Sequence, residues 1–144
     1  RYNIVDNNEI GLNLFPFATD HEVSLINFDL LQSAPEETKG SSDVVLSSGL
    51  IEHFNPSDTA RLVRHHFETA RTGGLVVISF PTPTVIYKAF RRFLEMTGQF
   101  PPLFERPIEE EEILPVLSGL GTTVETYKIW TTILTQLLVV TRKA

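Results

Sequence analysis

Residues 43–54 read Asp43-Val-Val-Leu-Ser-Ser-Gly-Leu-Ile-Glu-His-Phe54, an apolar run that ends in small residues and then an acid, an imidazole and an aromatic ring. A buried parallel strand needs apolar side chains on both faces, so the Val-Val-Leu of residues 44–46 fits the interior of one. Ser48 and Gly49 then let a ligand approach the backbone at the carboxyl end of that strand, where open α/β sheets bind their ligands. The stretch therefore predicts a binding site in an α/β fold.

The bulk composition is that of one globular domain. The chain has 144 residues, of which 42% are hydrophobic and 21% are charged, and its formal net charge is -6. This acidity argues against nucleic acid or an anionic lipid surface as a partner. The absence of cysteine excludes disulfides and thiolate metal ligands. With no long apolar stretch and no signal-peptide pattern, we expect a cytoplasmic protein without a membrane partner. The composition does not indicate an oligomeric state.

Strand-like and helix-like segments alternate along the chain. This alternation predicts a right-handed parallel sheet with intervening helices. Asn55 before Pro56 is a strong helix start. The pattern after residue 120 predicts a terminal antiparallel pair over 122–129 and 133–141. The predicted parallel strands are centred on Ile4, Leu25, Val45 and Val77.

Residues 43–54, together with Arg71-Thr-Gly-Gly-Leu-Val-Val-Ile-Ser-Phe-Pro81, resemble the second half of a class I S-adenosylmethionine-dependent methyltransferase. In that family a similar strand is followed by a helix, a Gly-Gly turn and a strand ending in Pro. The resemblance implies a Rossmann-like, mostly parallel sheet with helices on both faces and a C-terminal antiparallel hairpin. It also implies S-adenosylmethionine as cofactor and methyl transfer to a small-molecule substrate.

The family pattern has an earlier strand and a Gly-rich turn that this sequence lacks. Residues 1–6 already resemble the family's second strand, so the first strand is missing between the Ile4 and Val45 strands. We therefore interpret residues 1–144 as a single domain that is truncated at its N-terminus, while an altered sheet closure or a strand supplied by a partner remain alternatives. Two strand edges would be exposed at the gap. Residues 1–144 alone should then bind S-adenosylmethionine poorly.

The resemblance implies a set of cofactor-binding residues. Asp6, with its neighbour Asn7, would hold the ribose, although an acid at this position could instead cap a helix. Asp29 would accept from the adenine amino group, with a turn aspartate as the alternative. The remaining implied contacts are Phe28 and Leu30 beside the adenine ring, and Ser48 and Gly49 beside the methionine part.

Glu52 and His53 form a neighbouring acid and imidazole at the end of a strand. His53 could act as a catalytic proton acceptor near neutral pH, or it could merely hydrogen-bond at a helix start. Some related quinone-pathway O-methyltransferases carry Glu where Gly49 stands and use it with the Glu-His pair to bind a metal. Because Gly49 cannot be that ligand, no metal is predicted.

Two further features have competing interpretations. His65 and His66 are adjacent on one helix, so they cannot share a helical face as a metal pair, and we expect them to be solvated or partly packed. Residues 81–106 mix aromatic residues with three arginines and should cover the substrate, whereas their simplest interpretation is a packed surface helix.

Two rival functions remain open. The missing Gly-rich turn favours a non-catalytic interaction or structural domain that keeps the methyltransferase sheet. An acid at the end of an early strand would also permit a nicotinamide dehydrogenase, although the sequence around Glu52 does not favour one.

Overall fold

The computed structural model of this protein describes residues 1–15, 22–99, 105–130 and 135–144. Strands and helices alternate through most of the chain, as the sequence predicts. The elements, in chain order, are β1 (Tyr2–Asp6), α1 (Glu9–Asn13), β2 (Val23–Asn27), a 3-10 helix (Glu36–Thr38), β3 (Ser42–Ser48), a 3-10 helix (Ile51–His53), α2 (Pro56–Thr69), β4 (Ala70–Pro81), α3 (Val85–Met96), α4 (Glu110–Ser118), β5 (Gly121–Ile129) and β6 (Gln136–Lys143).

Within the described residues the strands form two sheets. β1 and β2 make a parallel pair, while the larger sheet has the order β3–β4–β6–β5. β3 and β4 are parallel, and β6 lies antiparallel between β4 and β5. The predicted α/β class, its parallel pairs and its C-terminal antiparallel hairpin are confirmed. The break between β1 and β3 falls where the sequence predicts a missing strand.

β4 forms the centre of the larger sheet. Its partners are β3 on one side and β6 on the other, and Val76, Ile78 and Phe80 are almost fully buried. β6 contributes Leu137 and Val139 to the same core. A strand inside a sheet can bury a nearly continuous apolar run when both faces of the sheet are covered. The apolar character of residues 75–80 therefore has a direct structural cause.

The prediction that residues 44–46 form a strand is right, but the prediction that they are all buried is wrong. Val45 packs partly against the core, whereas Val44 is 55% exposed and Leu46 is 69% exposed. Successive side chains of a strand point to opposite faces of the sheet. α2 covers the face that carries Val45, whereas no described element covers the opposite face, which carries Val44 and Leu46.

α2 begins as its sequence predicts. The Asn55 side chain accepts a hydrogen bond from the backbone N–H of Asp58 at 3.0 Å, and Pro56 occupies the first turn. The helix buries Leu62, Val63 and Phe67 against the sheet. It ends at Thr69, so the Gly73-Gly74 turn lies within β4 rather than at the helix end.

The two histidines of α2 are buried, contrary to the expectation of solvated or partly packed side chains. His65 is 8% exposed and His66 is 5% exposed. Nδ1 of His65 lies 2.6 Å from the carbonyl oxygen of Leu30, and Nδ1 of His66 lies 2.7 Å from that of Leu62. Each ring therefore donates to a carbonyl, and burial lowers the pKa of His66 below its ordinary value of 6.5.

α3 and α4 differ in how much of their surface they bury. α3 buries only Tyr87 completely, while Val85 and Met96 on its apolar face are 84% and 79% exposed. α4 carries Glu110 in its acidic first turn, as expected near the positive end of a helix dipole, and accommodates Pro115. None of the helices in the described ranges is both long and apolar enough to cross a bilayer.

A matched pair of leucine deletions compares the buried core with the exposed face of β3. Leu62→Ala removes a fully buried side chain and should lower the free energy of unfolding by about 2 to 5 kcal/mol. Leu46→Ala makes the same deletion on the exposed face and should cost at most about 0.5 kcal/mol. Urea unfolding of residues 1–144 measures both values, and equal losses would show that β3 is covered on both faces.

The burial of His66 predicts a pH-dependent loss of stability. The pKa of His66 in the folded protein is below its unfolded value of 6.5. At pH values between these two, the unfolded chain therefore binds more protons than the folded protein. The stability that His66 contributes is present above pH 6.5 and is lost as the pH falls through the folded pKa. Thermal unfolding between pH 7.5 and 5.0 should show this loss, and His66→Gln should reduce it. An unchanged pH profile in the variant would contradict this prediction.

Candidate functional site

A cavity of about 370 Å³ separates β1 from β3. The carboxyl ends of both strands contribute to it, together with the buried histidines of α2. Its position matches the place where an open α/β sheet binds ligands, at a break in the order of its strands. The lining residues that the sequence also singles out are Asp6, Leu30, Ser48, Gly49, His65 and His66.

The cavity brings together some of the predicted site residues and leaves others aside. Asp6 of β1, Leu30, Ser48 of β3 and Gly49 all line it. The predicted residues outside this lining are Asn7, Phe28, Asp29 and His53. Phe28 and Asp29 are half-buried next to Leu30, while His53 is exposed after β3.

The two predicted aspartates make local hydrogen bonds. Asp6 Oδ1 accepts from the backbone N–H of Asn8, and Asp29 Oδ1 accepts from that of Leu31, each at 2.9 Å. Such two-residue bonds are typical of aspartate in turns. Asn8, and not Asp6, caps α1, since the Asn8 side chain accepts from the N–H of Gly11 at 3.1 Å. The local turn roles therefore exist, and they are compatible with an additional contact to a ligand.

Gly49 has the backbone conformation that its position requires. Its φ of +68° lies in the left-handed region, where a side chain would be strained. Its N–H donates to the carbonyl of Ser79 at 3.2 Å, and the Ser79 hydroxyl donates to the Ser48 hydroxyl at 2.7 Å. The turn after β3 is therefore anchored on the end of β4.

Arg106 fixes the residues that follow this turn. Its guanidinium donates to both carboxylate oxygens of Glu112 at 2.7 and 2.8 Å, and to the carbonyl of Phe54 at 2.6 Å. It also donates to the Thr59 hydroxyl at 2.9 Å, which itself donates to the carbonyl of Ile51. A planar guanidinium with several donors suits such a cluster of acceptors. The sequence pattern predicts Arg106 within a substrate cover and gives no sign of these hydrogen bonds.

Glu52 is the exception within this well-bonded turn. Its side chain is only 4% exposed, and its Oε2 atom has no hydrogen-bond partner. Burial is the largest influence on its carboxyl and raises its pKa above the ordinary value of 4.5. A Glu directly after a strand and before a His is visible in the sequence, but its burial depends on contacts from distant segments.

A second cavity, of about 380 Å³, lies between α3 and the segment that carries Arg106. Tyr87 is completely buried at its edge, and its hydroxyl accepts from Arg91 Nη1 at 3.3 Å. Burial raises the pKa of Tyr87, so the phenol stays protonated at neutral pH. The predicted substrate cover falls partly here, while residues 100–104 lie outside the described residues.

The described ranges contain no group of three or more histidine, aspartate or glutamate side chains arranged to hold a metal ion. Gly49, next to Glu52 and His53, offers no side-chain ligand.

Comparison with known proteins gives matches at the level of structure. The chain is similar to magnesium protoporphyrin IX methyltransferase (ChlM) from Synechocystis PCC 6803 with bound SAH, with a TM-score of 0.67, 16% identity and coverage of 88% of this chain and 56% of that one. It is also similar to the N-methyltransferase NodS from Bradyrhizobium japonicum WM9 in complex with S-adenosyl-L-homocysteine, with a TM-score of 0.72, 16% identity and coverage of 99% and 66%.

A third structure carries a different functional description. It is described as a putative Zn-dependent alcohol dehydrogenase from Rhodobacter sphaeroides, with a TM-score of 0.72, 16% identity and coverage of 98% of this chain and 74% of that one. No protein-family model and no curated protein sequence matches the chain. The chain spans less than two thirds of both methyltransferases, and identities this low show a common fold and not a common reaction.

The strand order, the parallel pairs and the terminal hairpin indicate the same fold as the similarity to these solved structures. The chain has the fold of the class I S-adenosylmethionine-dependent methyltransferases, and structures of ChlM and NodS with this fold hold S-adenosylmethionine or S-adenosyl-L-homocysteine.

Proposed function

We propose that this domain takes part in methyl transfer from S-adenosylmethionine to a small-molecule acceptor. The observation that carries the proposal is the placement of Asp6 opposite Ser48 and Gly49 across one cavity between two parallel strand pairs. A carboxylate on one strand end and an open backbone on the next are the elements needed to hold a ribose and an amino-acid tail. The likeness to two methyltransferases supports the same conclusion.

The proposed roles are those that the family resemblance implies, and four of the residues concerned, Asp6, Leu30, Ser48 and Gly49, line the cavity. Asp6 and Asn7 hold the ribose hydroxyls, and Phe28, Asp29 and Leu30 surround the adenine from the end of β2. Ser48 and Gly49 contact the methionine part. When bound, the cofactor supplies an electrophilic methyl group on sulfur, so the protein has chiefly to align the acceptor and exclude water. His53, exposed after β3, stays a predicted proton acceptor.

The rival function is a non-catalytic domain that retains the methyltransferase sheet. The open break between β1 and β3 favours it, because no strand among the described residues joins the two sheets across this cavity. Equilibrium binding of S-adenosylmethionine distinguishes the two functions. It should be measured by calorimetry on the product of the complete coding sequence, where micromolar binding, equivalent to about 8 kcal/mol, supports the proposal. No binding there would support the non-catalytic domain.

The gap itself predicts weak binding by residues 1–144 alone. A small flexible ligand loses freedom on binding, and contacts from β1 and β3 without the family's Gly-rich turn between them should not offset that loss. We therefore expect an affinity weaker than micromolar in calorimetric titration. Micromolar binding by these residues would show that the two described sides of the cavity suffice.

Asp6→Ala tests the proposed ribose contact. In the product of the complete coding sequence, loss of the Asp6 carboxylate should weaken S-adenosylmethionine binding by about 1 to 3 kcal/mol, the scale of a hydrogen bond to a charged acceptor. Asp43→Ala is the matched control, since Asp43 is an exposed acid paired with Arg71 and does not line the cavity. Equal affinities of Asp6→Ala and the wild type would leave Asp6 with its turn role only.

A further inference from the structure

α3 carries apolar side chains on two sides of the helix. One side packs on the domain, where Tyr87 is completely buried and Leu94 is half-buried. The other side is exposed to solvent, and its residues are linked by steps of three or four, which places them on one helical face. This outer face of α3 consists of Val85, Ile86, Ala89, Phe93 and Met96.

The outer face is more apolar than packing on the sheet requires. A helix that only covers a sheet is apolar toward the core and polar toward water. Here Phe93 is 57% exposed and Ile86 is 56% exposed, and the two ends of the face are exposed still more. A contiguous exposed apolar patch marks an interaction site. The outer face is therefore expected to be covered by a partner.

Basic side chains border the outer face along one side. Lys88 and Arg92 are four residues apart, and both are exposed. Arg92 forms no ion pair with another described residue, while Lys88 has only an exposed contact with Glu109 at 3.6 Å. α3 has three basic residues and one acidic residue, Glu95, in a chain whose net charge is -6. The outer face therefore has a local positive border on an acidic protein.

The strand register brings the single tryptophan of the chain to the same end of the sheet. Pro81 at the end of β4 pairs with Gln136, and Gln136 pairs with Ile129, the residue before Trp130. α3 begins four residues after Pro81. Trp130 is 57% exposed. Tryptophan is enriched where proteins meet the interface between lipid and water, because its ring is apolar and its N–H is polar.

We propose that the outer face of α3, together with Trp130, docks this domain on an anionic lipid bilayer. Phe93 and Met96 lie among the upper acyl chains, and Lys88 and Arg92 meet the phosphate groups. Anionic lipid matches both parts of this surface, since it offers apolar chains beside negative charge. The helix lies in the plane of the interface, in agreement with its being too short to cross a bilayer.

This inference does not depend on the proposed methyl transfer. It departs from the expectation of no membrane partner, which follows from the net charge of the whole chain. The acidic remainder of the surface is repelled by anionic lipid, so the attraction is confined to the short range over which α3 and its two bordering cations touch the bilayer. The contact is therefore expected to be weak and reversible.

Flotation of the product of the complete coding sequence with lipid vesicles tests the docking. Vesicles of phosphatidylcholine and phosphatidylglycerol, mixed at roughly 3:1, should carry the protein about tenfold better than vesicles of phosphatidylcholine alone. Phe93→Gln combined with Met96→Gln should lower this partition about tenfold, because it removes apolar contacts with the acyl chains. Ile10→Gln combined with Leu14→Gln is the matched control, since these side chains on and after α1 are 72% and 76% exposed. The control should partition as the wild type does.

A second pair of variants isolates the charge contribution. Lys88→Gln combined with Arg92→Gln should lower partition into the mixed vesicles about 10- to 30-fold and hardly change partition into phosphatidylcholine. Arg61→Gln combined with Arg64→Gln removes two exposed cations of α2 and should have little effect.

Trp130 provides an independent signal from the contact. In residues 1–144 it is the only tryptophan, so its fluorescence reports on one position. Its emission should shift to shorter wavelength when the mixed vesicles are added, because the ring moves into a less polar surrounding. The shift should be absent with Phe93→Gln combined with Met96→Gln.

The variants should unfold at the temperature of the wild type, since the replaced side chains are exposed. If the variant of Phe93 and Met96 unfolds early, Val85→Gln at the most exposed position, 84%, takes its place. Failure of the wild type to float with the mixed vesicles overturns the inference, and so does an equal loss in the control at Ile10 and Leu14. A dimer without lipid that the Phe93 and Met96 variant abolishes, together with no flotation, would assign the outer face to a second copy of the chain.

Discussion

The break in backbone hydrogen bonding between β1 and β3 governs the rest of this structure. Parallel strands are normally buried within a continuous sheet, and an open edge is a structural liability. Here the smaller sheet is connected to the larger one by side-chain contacts, among them the bond from His65 on α2 to the Leu30 carbonyl and the packing of Leu30 on the core. His65 is therefore buried where the segment after β2 meets α2.

The turn after β3 is held by several hydrogen bonds but contains a buried atom without a hydrogen-bond partner, Oε2 of Glu52. Arg106 connects this turn to α4 through Glu112, so the backbone around Glu52 is held from three directions. The ion pair is half-buried, which protects it from solvent screening more than an exposed pair. The fixation keeps the Glu52 carboxyl at one place, and its lack of a partner is tolerated within a rigid surrounding. Conflicts of this kind between local stability and position are expected at functional sites.

The sequence predicts those features that depend on neighbouring residues. The strands around Val45 and Val77, the Asn55 cap and the terminal hairpin follow from local patterns and are confirmed by the structure. The burial of His66 and the exposure of Leu46 could not be read from such patterns, because each depends on which distant element covers it. The hydrogen bonds of Arg106 could not be predicted for the same reason, since two of its acceptors, Thr59 and Phe54, lie 47 and 52 residues away.

The two sides of the cavity are held by different means, which affects how they respond to changes in the sheet. On the β1 side, Asp6 is held by a bond to Asn8, two residues away. On the β3 side, the position of Glu52 depends on Arg106 and α4, and not on β1. A shift between the two sheets would therefore change the distance between Asp6 and Gly49 while leaving the surroundings of Glu52 intact. Cofactor affinity should therefore be sensitive to closure of the gap, whereas the turn that carries Glu52 should keep its structure.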